Sequence, residues 1–497
     1  MKKVICLLLV LAMAIGMVGC SNNAGNNNSN GGSSDEVYEV VLKFPTMMTI
    51  PNDEAIKDVQ DAINAYIKDE LGITDMTLRI DFQSLFTYTT DINMGLASKE
   101  KMDIIFTGDL PTAVSNGYLT DLTPYLDNEM AGAKAVIEDW LDCGTINGTV
   151  YAIPCYKGQV LSWKYIYNTE YTDGVYDMTK VKSLEDLDEC FAALKAAYPN
   201  EYFGVYTNQY PTLKCFEDHT SVIGTYFATV GDSTQLVNYF TTDAYKEGIA
   251  MAYKHRQLGY VDPEGSTNTQ SHDALVMSGA CKGVIMGHAY SIDTINKMFT
   301  GNNSYGATFE SVQIATSDMT TNTLTYGIPY TSEDPAKAAR MMNLIWTDEF
   351  IASTLIYGLE GVSYVWNEDH TSIEYPEGLS MDTVPYTALY TCGAFGNQFL
   401  LYGMDQNTSE ADKAFMLDLI QNAWYPPLFG FIPDSTNVAT QVAAINNVYT
   451  QYNNSLTYGD VDPEVYLPEF LKALEEAGIN DVMAEYQRQV DEWLANK

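Results

Sequence analysis

The sequence predicts an α/β protein built from more than one lobe, and three observations carry that prediction. At 497 residues the chain exceeds one ordinary domain. Its 46% hydrophobic and 18% charged residues suit a packed core rather than a disordered chain. Strand and helix patterns alternate from residue 37 onward, as parallel sheets with right-handed crossovers require.

The elements follow in order. Val37 to Phe44 (VYEVVLKF) is rich in β-formers and reads as a first strand. Asn52 can cap a helix in which Ile56, Val59, Ile63 and Ile67 recur at helical spacing, and Gly72 closes it. Leu78 to Phe82 reads as a second strand, Leu85 to Ala97 as a helix, and Asp103 to Phe106 as a third strand ending at Thr107-Gly108-Asp109. Ligands of such sheets bind beyond the carboxyl ends of strands, here Pro45 to Thr49 and Thr107 to Asp109. Thr149 to Gly158 (TVYAIPCYKG), broken by Pro154, and then Val160 to Asn168 read as the crossing into a second lobe. Helical patterns cover Ser183 to Ala197 and Thr242 to Leu258. Lys282 to Met286 is strand-like and ends in Gly287-His288-Ala289-Tyr290. Thr325 to Pro329 precedes a helix from Pro335 to Trp346, with Asp334 as its cap. The C-terminus reads as two helices, Pro463 to Ala477 and Asp481 to Ala495.

Charge excludes several functions. The 26 Lys+Arg against 65 Asp+Glu leave a net charge of −39, and nucleic acid or anionic lipid would need the basic clusters that this chain lacks. The amino terminus points outward from the cytoplasm. Lys2 and Lys3, an apolar run from Val4 to Met17 and then Val18-Gly19-Cys20 have the order of a secretory signal. The segment resembles a bacterial lipoprotein signal, which implies cleavage after Gly19 and acylation of Cys20; Met17 departs from the usual Leu. Ser21 to Ser34 (SNNAGNNNSNGGSS) reads as a flexible tether. In the mature chain Cys143, Cys155, Cys190, Cys215, Cys281 and Cys392 are scattered, without a C-x-x-C pair.

Enzyme signatures are missing. There is no G-x-S-x-G, H-E-x-x-H, G-x-x-x-x-G-K-[ST] or G-x-G-x-x-G, and the histidines show no metal-ligand spacing, so no cofactor or metal is expected. A pair of carboxylates for glycoside hydrolysis needs only proximity in space, which a sequence with 65 acids neither reveals nor forbids.

Four motifs resemble the family 1 extracellular solute-binding proteins of ABC importers: MGLASKEKMDIIFTGD (94–109), TVYAIPCYKGQVLSWKYIYNTE (149–170), ALVMSGACKGVIMGHAYS (274–291) and GIPYTSEDPAKAARMMNLIWTDE (327–349). YGLEGVSYVW (357–366), GNQFLLY (396–402), DPEVYLPEFLKAL (462–474) and AGINDVMAEYQRQVDEW (477–493) are similar to a lipoprotein branch with a C-terminal region of no assigned activity. The resemblance implies a type II, two-lobe periplasmic-binding-protein-like clamp, each lobe a mainly parallel sheet flanked by helices, with extra C-terminal helices. It implies a signal peptide over 1–19, a lipidated Cys20 and linker over 20–36, a first lobe of 37–155 plus 282–325, and a second of 156–281 plus 326–497. It also implies a monomer, anchored on the outer face of the membrane, that passes a sugar to a permease.

A neutral sugar needs aromatic platforms for its CH faces and polar side chains for its hydroxyls. Trp163, Trp424, Tyr290 and Phe395 lie beside Gly or Pro breaks where cleft loops are expected, with His288 at the end of its strand. Asp109, Gln159, Asn397 and Gln398 are the polar candidates. Core packing is the competing reading of each aromatic, and helix capping that of Asp109. A peptide or other solute remains the alternative ligand, with Lys157 and Lys164 as candidate cations.

Overall fold

The computed structural model describes residues 37–496 except 48, 158–159, 205, 269, 271–273, 276–277, 279–281, 289–290, 299–304, 309–313, 316–323, 389–394 and 405–408. The leader with Cys20, and the candidates Gln159 and Tyr290, lie outside the described residues. Strands are β1 (Tyr38–Thr46), β2 (Met76–Ser84), β3 (Ile104–Phe106), β4 (Ala152–Pro154), β5 (Val160–Asn168), β6 (Thr220–Ile223), β7 (Phe227–Val230), β8 (Gly283–His288), β9 (Tyr305–Thr308) and β10 (Thr325–Gly327). The helices used below are α1 (Asp53–Asp69), α2 (Tyr88–Ser98), α3 (Leu110–Ser115), α4 (Leu187–Ala197), α5 (Tyr210–Glu217), α6 (Asp243–Gln257), α7 (Pro335–Thr347), α8 (Glu349–Tyr357), α9 (Glu410–Asn422), α10 (Ala439–Thr457), α11 (Pro463–Glu476) and α12 (Ile479–Asn496).

The first sheet has the order β2-β1-β3-β10-β4. β1 is covered on both faces, so it reads as a near-continuous apolar run. β2 buries alternate residues, Met76, Leu78, Ile80 and Phe82. The expected caps form: Asn52 accepts from the Ala55 N–H at 2.9 Å, and Asp334 from the Lys337 N–H at 3.1 Å. One core joins Val40, Leu42 and Phe44 of β1 to Val59, Ile63 and Ile67 of α1, and to Met341, Ile345 and Trp346 of α7.

The second sheet, β8-β5-β9, is antiparallel throughout. Among the described strands, parallel ladders are confined to β1 with β2 and with β3, fewer parallel strands than the alternation implied. The pairing also reverses the expected assignment of two segments. β8 and β9 pair with β5, so the chain from 283 to 308 belongs to the second lobe. β10 pairs with β3 and β4, and α7 and α8 share the first core, so 325–357 belongs to the first. A strand-like stretch names no partner, and only the hydrogen bonds decide its sheet.

The second lobe packs Tyr165 and Ile285 against Leu187, Phe191 and Leu194 of α4 and Leu213 and Phe216 of α5. The C-terminal helices α10, α11 and α12 pack on the β6–β7 ribbon and α6, through Ile445, Phe470, Leu474 and Val490 against Phe227, Phe240 and Ile249. Among the described residues no helix is long and apolar enough to cross a membrane. Cys143, Cys155, Cys190 and Cys215 are buried, while Cys281 and Cys392 lie outside the described residues.

Candidate functional site

Strand direction locates the candidate edge of the first lobe. β10 lies antiparallel between β3 and β4, with Tyr326 opposite both Phe106 and Ile153, and Thr325 opposite Pro154. The carboxyl ends of β1, β2, β3 and β4 therefore share one edge. The chain leaves that edge at Pro154 for β5 and re-enters it at Thr325, so this edge faces the second lobe.

Three loops project from it. The loop after β1 exposes Met47 and Ile50, and the loop after β2 carries Phe86, which is 81% exposed. A Leu85 N–H to Thr46 O bond of 2.8 Å ties these two loops together. The loop after β3 starts at Thr107, whose N–H donates to Thr325 O at 2.9 Å, and ends at Asp109. Asp109 caps α3: its carboxylate accepts from the Thr112 N–H at 3.2 Å and the Thr112 hydroxyl at 2.7 Å, and the residue stays exposed. Both readings of Asp109 are thus compatible with its position, since an exposed cap keeps lone pairs for a ligand.

In the second lobe the start of β5 and the end of β8 are paired, with His288 opposite Ser162 and Gly287 opposite Trp163. Trp163 does not present its face to the cleft. It is 7% exposed, meets Phe216 edge-on at 5.6 Å, and shares a core with Tyr165 and Phe191. A Cβ at Gly287 would lie 2.9 Å from its ring, so glycine there serves the packing of the indole. Trp424, just beyond α9, is half-buried against the same cluster and meets the ring of His219 edge-on at 4.8 Å. His219 holds a left-handed backbone at φ 48°, an uncommon state for a side chain of this size.

Three other candidates brace the crossing instead of lining the cleft. Phe395 is 2% exposed and packs at a tilt against Phe44, with centroids 4.4 Å apart, in the first core. Asn397 is buried; its side chain donates to Trp346 O at 3.3 Å and accepts from the Phe399 N–H at 3.0 Å. The Gln398 N–H donates to Tyr156 O at 2.8 Å, while the Tyr156 N–H donates to Gly396 O at 2.8 Å. The Trp346 indole donates to Pro154 O at 3.0 Å. Together these bonds fix the strand that leaves the first lobe. Around it Trp140, Tyr156 and Phe399 stand in a row with centroids 5.0 Å apart, and the Trp140 indole donates to the Tyr425 hydroxyl at 3.2 Å.

Phe86 and His219 were absent from the sequence candidates. Phe86 was within reach, because it follows a parallel strand, but extending the next helix back to Leu85 hid the loop; α2 starts at Tyr88. The left-handed turn of His219 has no sequence signal. Of the candidate cations, Lys164 of β5 is buried with its ammonium 5.5 Å from the Phe415 ring centroid, and Lys157 is half-buried in the crossing.

A binding clamp of two lobes, joined by braced crossings, is the class that this fold and these edges define. The model of the bacterial extracellular solute-binding proteins matches residues 56–349, and a domain of unknown function (DUF3502) matches 427–495. The chain belongs to the bacterial extracellular solute-binding protein family. It is 24% identical, over 98% of its length and 97% of the relative's, to a carbohydrate ABC transporter substrate-binding protein of Streptococcus pneumoniae serotype 4. Among solved structures, the N-glycan transport solute-binding protein NgtS of Streptococcus pneumoniae superposes with TM-score 0.74 at 22% identity, over 92% of this chain and 99% of that one. A solute-binding protein of Bifidobacterium longum infantis described as binding HMO superposes with TM-score 0.62 at 15% identity, over 93% and 99%.

Proposed function

We propose that the protein is the carbohydrate-capturing subunit of an ABC importer, held outside the cytoplasm by acyl chains on Cys20 and delivering a neutral oligosaccharide to a membrane permease. The observation that carries this reading is a set of aromatic and polar side chains on each lobe that is not fully buried. One lobe offers the exposed ring of Phe86 and the carboxylate of Asp109, the other the rings of Trp424 and His219. Aromatic faces with carboxylate and imidazole partners suit the CH faces and hydroxyls of a sugar. The full-length likeness to a relative named for carbohydrate transport supports the same reading, as do structural neighbours solved with Man1GlcNAc and Man5GlcNAc.

The ligand is neutral on this reading. A net charge of −39 repels anionic glycans over roughly 8 Å at physiological salt. A peptide ligand is disfavoured by the burial of Lys164, which leaves no fixed cation from β5 for a carboxyl terminus. Binding proceeds by lobe closure, without covalent chemistry, and the protein acts as a monomer.

Thermal-shift screening against mono- and oligosaccharides tests the function, because a ligand bound only by the folded state raises its stability. Neutral oligosaccharides are expected to raise the melting temperature and polygalacturonate to leave it unchanged. No shift with any neutral glycan would remove the reading. Cys20→Ala is expected to release the protein from membranes or block its maturation, and unchanged fractionation would remove the anchor.

A further inference from the structure

The domain of unknown function at 427–495 begins with a segment that touches both lobes. Residues 428–434 (LFGFIPD) form a strap whose side chains divide by partner. Leu428 and Phe431 join the core of α10, α11 and α12, where Phe431 meets Trp493 edge-on at 5.9 Å. Phe429 instead shares a cluster with Trp140 and Cys143 of the first-lobe turn Glu138–Gly144 and with Val160 of β5. Ile432 packs on another cluster, made entirely of first-lobe residues, that includes Leu110 of α3 and Ala152 of β4.

Backbone contacts fix the strap on both sides. At Gly430 the chain lies so near the first lobe that a Cβ would stand 2.6 Å from the Asp142 Cβ, and its φ of +88° also calls for glycine. Asp434 is held from the other side by the Gln489 side chain of α12. Its N–H donates to that amide and its carbonyl accepts from it, each at 2.8 Å. The strap therefore fastens α12 to the first lobe.

This contact lies beside the cleft edge. Leu110 opens α3, the helix that Asp109 caps, so Ile432 grips the first lobe at the base of one of the loops on that edge. Next to the grip, α3 and α12 part and leave a cavity of about 230 Å³, with Val114 and Ser115 on one side and Arg488, Glu492 and Trp493 on the other. A packed contact with an open wedge beside it has the form of a pivot, because rotation changes the wedge while the close-packed end holds. We infer that the C-terminal region is a tie between the lobes, with the strap as the fulcrum of closure and the limit on how far the ligand-free clamp opens. By removing wide-open states before a ligand arrives, the tie reduces the ordering that binding must supply.

Scattering and melting of the ligand-free full chain test the tie, so the outcome does not depend on which solute the clamp takes. Ile432→Ser removes the apolar grip at a half-buried position, and Gly430→Ala forces the backbone off Asp142. Leu474→Ala is the control, since it empties part of the C-terminal core and leaves the strap in place. Both strap variants are expected to melt cooperatively and to show a radius of gyration larger by ~1 Å or more, out of roughly 23 Å for a compact chain of this length. Leu474→Ala should lower the melting temperature and keep the wild-type radius. If Gly430→Ala does not fold, Ile432→Ser decides alone. A folded strap variant with the wild-type radius would overturn the tie. Equal swelling in Leu474→Ala would overturn it too, because lost core packing would then account for the expansion.

Discussion

The first lobe offers loops to the cleft, whereas the second offers rings that are already packed. Phe86 stands free beyond β2, but Trp163 and Trp424 are seated in the core around Phe216 and against His219. The contrast follows from the two sheets. Parallel strands in the first lobe send every carboxyl end to one edge, so several short loops gather there without interior duties. In the antiparallel second sheet the near end of β5 is still flanked by β8 and covered by α5, so its side chains serve the core first. Ligand contacts are thus expected to be separable from stability in the first lobe and entangled with it in the second.

Breaking the second-lobe half of this comparison gives the largest effect. Trp163→Ala is expected to lower stability by ~3–5 kcal/mol, the range for emptying an aromatic site in a core. Chemical denaturation of the variant measures it, and a wild-type midpoint would return Trp163 to the cleft.

A second effect belongs to the same lobe and depends on pH. His255 is fully buried, with Nδ1 3.0 Å from the Tyr210 hydroxyl and Nε2 2.9 Å from Asp188, which also pairs with Lys254. Burial lowers its pKa to about 4, against the opposing pull of Asp188. Between pH 6.5 and 4 the unfolded chain binds a proton that the native imidazole refuses, so stability falls as pH falls, by about 3 kcal/mol in all. Melting at pH 7 and at pH 4.5 should show this loss in wild type and a smaller one in His255→Gln. Equal losses in the two proteins would mean that His255 does not set the response.

The first-lobe half is sharpened by Phe86→Ala. Its stability should stay within ~0.5 kcal/mol of wild type, as for an exposed position. Glycan binding should weaken roughly five- to 150-fold, or about 1–3 kcal/mol, if a sugar face stacks on the ring. Calorimetry and melting on one variant measure both, and unchanged affinity would move the ligand away from this loop.

Much of the architecture was legible because it rests on local patterns. The helical recurrence of Ile56, Val59 and Ile63, the caps at Asn52 and Asp334, and the strand before Pro45 all appear as read. What depended on distant partners was not legible. Nothing in Gly283 to His288 says that it pairs with β5, and nothing in Thr325 to Gly327 says that it lies between β3 and β4. The site divided the same way. The exposed position of Asp109 beyond β3 was readable from strand direction, whereas Phe395 and Trp163 carry the residue type of a sugar platform and the burial of a core. Side-chain type cannot separate those roles, because stacking on a ligand and packing in an interior call for the same flat apolar surface.

The central claim is that two lobes close on a glycan, and small-angle scattering tests it most directly. The radius of gyration of the full chain, measured without ligand and then at saturation with a glycan identified by thermal shift, should fall as the edge bearing Phe86 and Asp109 meets the one bearing Trp424 and His219. An unchanged radius at calorimetrically confirmed saturation would contradict the account.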